Sequence, residues 1–322
     1  MRHLVTGGAG VIGFELVRQL VEQGDEVTTL DVGKKGGLQD LAVLAEQHPG
    51  QLTVVRGDFG SDRSLLSGRF DAIFHFAAIV GVKYVTDHPY ETISVNMRTT
   101  LNALDHALQT GCRTFIFASS SENYAASVDH GHAQIPTGED VLLSIDDIAL
   151  PRWSYAASKM AGESAVFGAA RIGGFTPIVV RFHNVYGPRM GPTHVIPEFL
   201  ERVRQRADPF PVFGADQTRS FLHVEDGARA LRAVLGAALE GQGGIYNIGS
   251  AIETQIGDLA RMVFEVTGFH PKIDDQPAPP GSVRRRVPDV AKLRALGFEP
   301  RRQLREGLAE CWAASAARAT RP

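Results

Sequence analysis

Short apolar runs and longer amphipathic stretches alternate along the first half of the chain. His3–Thr6, Glu26–Leu30, Leu52–Arg56, Ala72–Phe76, Thr114–Ala118 and Pro177–Arg181 are short and rich in β-branched or aromatic residues, which predicts strands. Most are apolar throughout, the pattern of strands covered on both faces. Between them Val11–Gln23, Leu38–Gln47, Pro89–Gln109 and Tyr155–Gly168 repeat apolar residues at helical spacing. Alternating β and α elements predict an α/β fold, a doubly wound parallel sheet with helices on both faces.

The rhythm changes near Asn184. Pro188, Pro192, Pro197, Pro209 and Pro211 break the pattern, and the Pro-rich run Gln276–Gly281 cannot be helix interior. This predicts a nucleotide-binding domain over 1–183, rejoined by 220–250, and a smaller C-terminal substrate-binding region over most of 184–322. The tail after Arg301 reads as an amphipathic helix. No internal repeat is present.

Composition narrows the class. The 322 residues suit about two domains. Lys plus Arg is 33 and Asp plus Glu is 36, a net charge of −3, which gives no global pull on nucleic acid or on an anionic membrane. Two cysteines, Cys112 and Cys311, make neither a disulfide framework nor a CxxC metal site and fit a reducing compartment. No apolar run approaches the ~20 residues that span a bilayer. The N-terminus enters a strand pattern without a basic and apolar leader. The expectation is a cytoplasmic protein with no membrane, nucleic-acid or metal partner.

Candidate chemistry starts at Thr6-Gly-Gly-Ala-Gly-Val-Ile-Gly13. Gly7, Gly10 and Gly13, with Gly8 as a second phasing, lie between a strand and a helix. Glycine there allows a tight turn, close approach to a pyrophosphate and helix–strand packing, and the helix N-terminus attracts phosphate. Asp31 ends the second strand. A carboxylate there accepts from ribose hydroxyls and repels a 2′-phosphate, so NAD is expected rather than NADP. Lys34 and Lys35 nearby read as a solvated loop.

Tyr155 and Lys159 share a helix face one turn apart. An ammonium near a phenol favours the phenolate, a general base for a sugar hydroxyl. Phe117-Ala-Ser-Ser-Ser-Glu-Asn-Tyr124 places hydroxyls at a strand end facing the ligand crevice. Ser120 or Ser121 is the hydroxyl partner of Tyr155, and Glu122 is a candidate extra acid/base.

Together these residues resemble the extended short-chain dehydrogenase/reductases of the NAD-dependent epimerase/dehydratase type. The resemblance rests on the motif at 6–13, Asp31, Gly57-Asp58, His75–Ala78, Asn96, Ser119–Ser121, Tyr155 with Lys159, and Arg181–Pro188. It continues through Arg219–Val224, Tyr246–Gly249 and Arg285–Asp289. It implies a Rossmann sheet, NAD, a nucleotide-sugar substrate with UDP favoured, and a homodimer through helices Pro89–Gln109 and Tyr155–Gly168. Cofactor contacts implied are Gly7, Gly10, Val11, Ile12, Gly13, Asp31, Asp58, Phe59, Phe76, Ala77, Ala78, Asn96, Ser119, Tyr155, Lys159, Phe182 and His183. Substrate contacts implied are Ser121, Asn184, Val195, Ile196, Val212, Phe213, Arg219 and Arg284.

The chain also departs from the family pattern. Pro279 stands where many members carry a diphosphate-binding arginine, so that contact is either missing or moved to Arg284. His183 stands where many have Phe, and Asn123 replaces the usual Val. The segment Ala126–Pro151 is longer than in compact epimerases and is expected to cover the sugar, with His130 and His132 solvated. The resemblance favours epimerisation at C4 through a 4-keto sugar. A decarboxylase or 4,6-dehydratase using the same ketone, with Glu122 added, is the alternative; Ser120-Ser-Glu122 and Arg152-Trp-Ser-Tyr155 resemble such relatives. A non-catalytic dinucleotide sensor is the remaining alternative, against which Tyr155 and Lys159 both stand.

Overall fold

Residues with high β propensity form the inner sheet wherever both of their faces can be covered. The computed structural model describes residues 1–34, 37–278 and 283–319, with side chains through residue 316. Lys35 and the Pro279–Ser282 segment lie outside the described residues. In the first part of the chain β1 (Arg2–Thr6), α1 (Val11–Glu22), β2 (Glu26–Asp31), α2 (Leu38–Gln47), β3 (Leu52–Arg56), β4 (Ala72–His75), α3 (Val82–Asp87), α4 (Pro89–Thr110), β5 (Thr114–Ser120), α5 (Ala125–Asp129), α6 (Ser154–Gly173) and β6 (Thr176–Phe182) follow one another. After these come β7 (Val185–Tyr186), α7 (Val195–Arg204), β8 (Phe210–Phe213), β9 (Thr218–Ser220), β10 (Leu222–His223), α8 (Val224–Leu239), β11 (Gly244–Ile248), β12 (Glu253–Gln255), α9 (Ile256–Thr267), β13 (Ile273–Gln276), β14 (Arg285–Arg286), α10 (Ala291–Arg294) and α11 (Leu304–Ala319).

Seven strands form one sheet in the order β11-β6-β5-β4-β1-β2-β3, and every neighbouring pair in it is parallel. Leu16, Val17 and Leu20 of α1 and Leu231 and Val234 of α8 fill one face of this sheet. Ala103 and Leu104 of α4 and Val166 and Ala169 of α6 fill the other. Chain direction across the sheet reverses between β1 and β4, so a crevice opens at their C-terminal ends, where ligands of such sheets bind. A third core joins α7, α9 and α11 around Phe199, Phe210, Leu259 and Leu308.

Two elements outrun their apolar patterns. β5 continues to Ser120 because Ala118, Ser119 and Ser120 pair with Val180, Arg181 and Phe182 of β6; ladder bonds extend it past its hydrophobic run. α6 continues to Gly173, where Gly174 takes φ +67° and ends it. Among the described residues no helix is long and apolar enough to cross a membrane.

Candidate active site

The turn between β1 and α1 needs its glycines. Gly7 has φ +77°, and a Cβ there would lie 2.7 Å from the Ala77 backbone nitrogen. A Cβ on Gly13 would lie 2.3 Å from the Gly7 carbonyl oxygen. The crevice floor is therefore bare backbone. Gly10, the N-cap of α1, brings no side chain to cap the first N–H groups, which leaves that helix end to an anion. Asp31 accepts from the backbone N–H of Ala9 (3.0 Å) and Gly33 (2.8 Å), so its carboxylate is fixed at the crevice edge. Lys34 reaches Glu91 instead (3.5 Å) and is well exposed.

Behind the turn, buried side chains set the shape of the 76–79 loop. Neutral His75 joins Thr6 Oγ1 (2.8 Å) to Thr100 Oγ1 (3.0 Å); burial and then Lys159 push its pKa down to about 3. Asn96 accepts from the Ile79 N–H at 2.7 Å and donates to Ser158 Oγ at 3.1 Å. It thus ties the loop to α6. Phe76, Ala77 and Ala78 stay half-buried at the crevice.

Tyr155 lies in the first turn of α6 and hydrogen-bonds Ser120. Ser120 Oγ also accepts from the Glu122 N–H at 3.2 Å. Ser121 is buried, 3% exposed. The structure thus pairs Ser120, not Ser121, with the phenol. Lys159 Nζ donates to the Ala118 carbonyl (2.7 Å) and sits 5.7 Å from the Tyr155 ring centroid. Burial brings its pKa down to about 7, against the opposing pull of Glu163. Desolvation pushes the phenol up to about 12, which the Ser120 hydrogen bond only partly offsets.

Glu122 is not an idle turn carboxylate. Arg286 Nη1 donates to its Oε1 (2.7 Å), and Arg152 Nη2 lies 3.5 Å from its Oε2. Burial opposes ionisation, but Arg286, Arg152 and Arg219 together outweigh it and hold the carboxyl below its usual range. The Arg152 guanidinium stacks over Trp153, 4.7 Å from the ring centroid. Arg219 donates to the Thr218 carbonyl and to Gln217 Oε1; burial, then Arg286, lowers its pKa to about 10. The segment around Ala126–Pro151 is docked. The Thr137 N–H donates to the Val287 carbonyl, and the Asp289 N–H donates to Thr137, bracketing the chain beside Arg286.

A family model described as the NAD dependent epimerase/dehydratase family matches residues 3–249. The chain belongs to the NAD dependent epimerase/dehydratase family. UDP-N-acetyl-alpha-D-glucosaminuronate decarboxylase of Bacillus cytotoxicus is 35% identical, the match covering 96% of this chain and 96% of that protein. A dTDP-glucose 4,6-dehydratase of Actinoplanes sp. is 33% identical, with 96% of each covered. A crystal structure of UDP-galactose 4-epimerase is 31% identical, covers 99% of each chain and superposes with a TM-score of 0.82. Members of the epimerase/dehydratase family are enzymes, and the cofactor is NAD.

The residues of this family member fit NAD, since the glycine floor, the uncapped α1 terminus and Asp31 offer room, N–H donors and a ribose acceptor. Arg189, which the sequence did not single out, lies beside the glycine turn. Its guanidinium lies 4.0 Å over the Phe14 ring of α1 and pairs with Asp40 of α2, closing over the Asp31 loop. Asp58 is exposed and Phe59 buried. The Ser119 hydroxyl turns inward to Glu163 (2.5 Å), and buried His183 accepts from Tyr124. Asp31→Ala is expected to weaken NAD binding about 10–100-fold while relaxing rejection of NADP, roughly 1.4–2.7 kcal/mol. Calorimetric titration with both cofactors checks this, and unchanged NAD affinity would remove Asp31 from the site.

Several expected substrate residues take other roles in this family member. Ile196 and Val212, 1% and 0% exposed, belong to the third core and cannot enclose a nucleobase. Val195 is half-buried, and Phe213 is exposed, with Arg202 at 5.4 Å from its ring. Asn184 has φ +29° and donates to the Ser220 carbonyl (3.1 Å). Arg284 points to solvent, and Arg286, two residues on, enters the site instead. His130 pairs with Asp146 at the surface. His223, Glu225 and Glu310 bring ligand atoms within 4.8 Å of one another. However, Arg302 holds Glu225, and His223 Nδ1 caps the Glu225 N–H, so the group reads as a helix cap.

Beneath Lys159 lies a buried ion pair. Arg181 donates to both Glu163 oxygens (3.0 and 2.8 Å), with the two side chains 2% and 6% exposed. Asn123 adds a third donor at 2.8 Å. Arg181→Met leaves a buried carboxylate without its cation, a loss of about 3–5 kcal/mol. Denaturant unfolding is expected to show it; a loss under 1 kcal/mol would mean that Asn123 and Ser119 suffice for Glu163.

Proposed function

We propose that the enzyme is a nucleotide-uronate decarboxylase, with UDP as the nucleotide. The observation that carries this reading is the Glu122–Arg286 contact, flanked by Arg152 and Arg219, next to the Tyr155–Ser120 pair. A neutral hexose has no use for three guanidiniums at its reacting end. A carboxylate on C5 does, because guanidinium matches it in charge and geometry. The name of the Bacillus cytotoxicus relative supports the same substrate class.

Bound NAD supplies the hydride acceptor for C4 and, in the return step, the donor. Tyr155 takes the C4 hydroxyl proton as phenolate and returns it as phenol. Ser120 shares that proton by donating to the C4 oxygen. With a ketone at C4 the C5 carboxylate is β to a carbonyl, so carbon dioxide leaves with its bonding pair delocalised onto the C4 oxygen, and C5 then takes a proton from water to restore the 4-ketone. Tyr155 and Ser120 are the donors for that charge. Arg286 and Arg219 hold the carboxylate until it departs. Glu122, kept ionised by its arginines, is a poor acid for C5 and serves by aiming Arg286 and Arg152.

C4 epimerisation needs only Tyr155 and Ser120, and the likeness to a solved epimerase at 31% identity favours it as the second reading. Purified enzyme incubated with UDP-glucuronate, UDP-N-acetylglucosaminuronate and UDP-glucose separates the two. Carbon dioxide from a uronate is the expected result. A product of unchanged mass replaces this reading with epimerisation, and loss of water replaces it with dehydration.

The reading extends to a two-fold dimer through α4 and α6. These helices lie side by side on one sheet face and share its core, while Leu101 of α4 remains 46% exposed. Pairing with a second copy would make a four-helix bundle. Sedimentation is expected to give a dimer at micromolar concentration; a monomer would refute the extension.

A further inference from the structure

Two buried polar rings lie behind the acid/base segment and take no part in the chemistry above. Tyr124 is 1% exposed and His183 0%. The Tyr124 hydroxyl donates to His183 Nε2, and the rings meet at 5.8 Å. Burial, then Arg286, holds the imidazole neutral with its pKa down to about 3, so an acceptor lone pair is present at any working pH. On the other side of the ring lies Asn247. The His183 backbone N–H donates to the Ile248 carbonyl at 2.9 Å, next to Asn247, and His183 Nδ1 and Asn247 Oδ1 are both buried without a hydrogen-bond partner; a proton on Nδ1 leaves Nε2 as the acceptor for Tyr124 and gives the amide oxygen a donor to face.

The two sides of this hub lead to the two halves of the uronate pair. Tyr124 closes the single helical turn Ser121–Tyr124, which carries Glu122. Asn247 Nδ2 donates to the carbonyls of Thr137 (2.9 Å) and Asp289 (3.2 Å), and Thr137 in turn bonds Val287 and Asp289 on either side of Pro288. That clamp fixes the segment bearing Arg286. We propose that His183 is a positioning residue that keeps Glu122 and Arg286 in register by holding Tyr124 on one side and Asn247 on the other. It rests on the reading of that pair as the uronate-handling groups. Without the His183 acceptor, the Tyr124 hydroxyl is left buried and unpaired, an arrangement that structures avoid by shifting the segment.

The test is a double-mutant cycle on the full-length enzyme with NAD and UDP-uronate. Tyr124→Phe removes one oxygen and keeps the ring, so it remains informative if His183→Phe folds poorly. Each single variant and the double are expected to lose about tenfold in kcat, with KM within threefold, and the double to lose no more than either single. His183→Gln, which keeps an acceptor, is expected to recover to within threefold of wild type. Independent, multiplicative losses, or no rescue by Gln, overturn the proposal. Nitrogen-15 spectra supply a readout apart from turnover: the ring signal missing in His183→Gln is expected as the Nδ1–H tautomer, unchanged from pH 5 to 9. An Nε2–H tautomer or a midpoint near 6.5 overturns the hub. A wild type that releases carbon dioxide while His183→Phe and Tyr124→Phe keep full kcat sinks this inference alone. A wild type that releases none sinks the decarboxylase reading. The cycle is then read on the conversion that the wild type does perform, where losses that fail to multiply support the hub and multiplicative ones overturn it.

Discussion

Tyr155→Phe is expected to lower turnover by about 10²–10⁴-fold, the usual worth of a positioned proton-transfer group. The ring stays in the first turn of α6, so packing is kept. What goes is the oxygen that bonds Ser120 and exchanges the C4 proton. Lys159 cannot substitute, because its Nζ is tied to the Ala118 carbonyl. NAD content and melting temperature should match wild type, since the glycine turn and Asp31 are untouched. Rapid-quench turnover on the wild-type substrate, with cofactor extracted and counted, makes the measurement. Loss of less than fivefold would remove Tyr155 from the chemistry.

Arg286→Ala carries the second large effect. This guanidinium is the one that donates directly to Glu122, and it is only 13% exposed. Its removal takes away one preorganised charge for the leaving carboxylate, a change typically worth about 10²–10³-fold. The loss should be specific to uronates. If the variant or the wild type oxidises UDP-glucose at all, that rate should change little, because a neutral sugar offers nothing for Arg286 to hold. Reduced bound nicotinamide should accumulate on mixing with UDP-uronate, since oxidation needs only Tyr155 and Ser120. Equal losses on charged and neutral sugars would show that Arg286 supports the fold and does not select the carboxylate.

The parts of the site that were legible are local. The glycine turn needs strand, turn and helix in a row, and Asp31 is placed by the end of a strand. Tyr155 and Lys159 follow from helical spacing alone. Arg286 was hidden because its partner Glu122 lies 164 positions away and because Arg284, Arg285 and Arg286 are the same residue type in a row. The register of β14 against β9 separates them. Arg285 pairs outward with Glu253, and Arg286 turns in. Strand alternation is the signal that could have told them apart. Ile196 and Val212 misled for the converse reason: apolarity does not distinguish a residue that covers a ligand from one that fills a core. Tyr155's pKa depends on desolvation, which no spacing encodes.

The central sheet is completed late in synthesis. β6 ends at Phe182, and β11, which covers its free edge, starts at Gly244. At about 5–20 residues per second on the ribosome, that edge stays open for roughly 3–12 s after β6 emerges. During this interval Ile178 and Val180 also lack α8, which packs into the same core and emerges just before β11. A nascent chain in this state displays an unpaired, apolar strand of the kind that recruits other strands. The elements between β6 and β11 thus set how long the newborn protein depends on chaperones, and chains cut after Phe182 should be recovered from cells as aggregates.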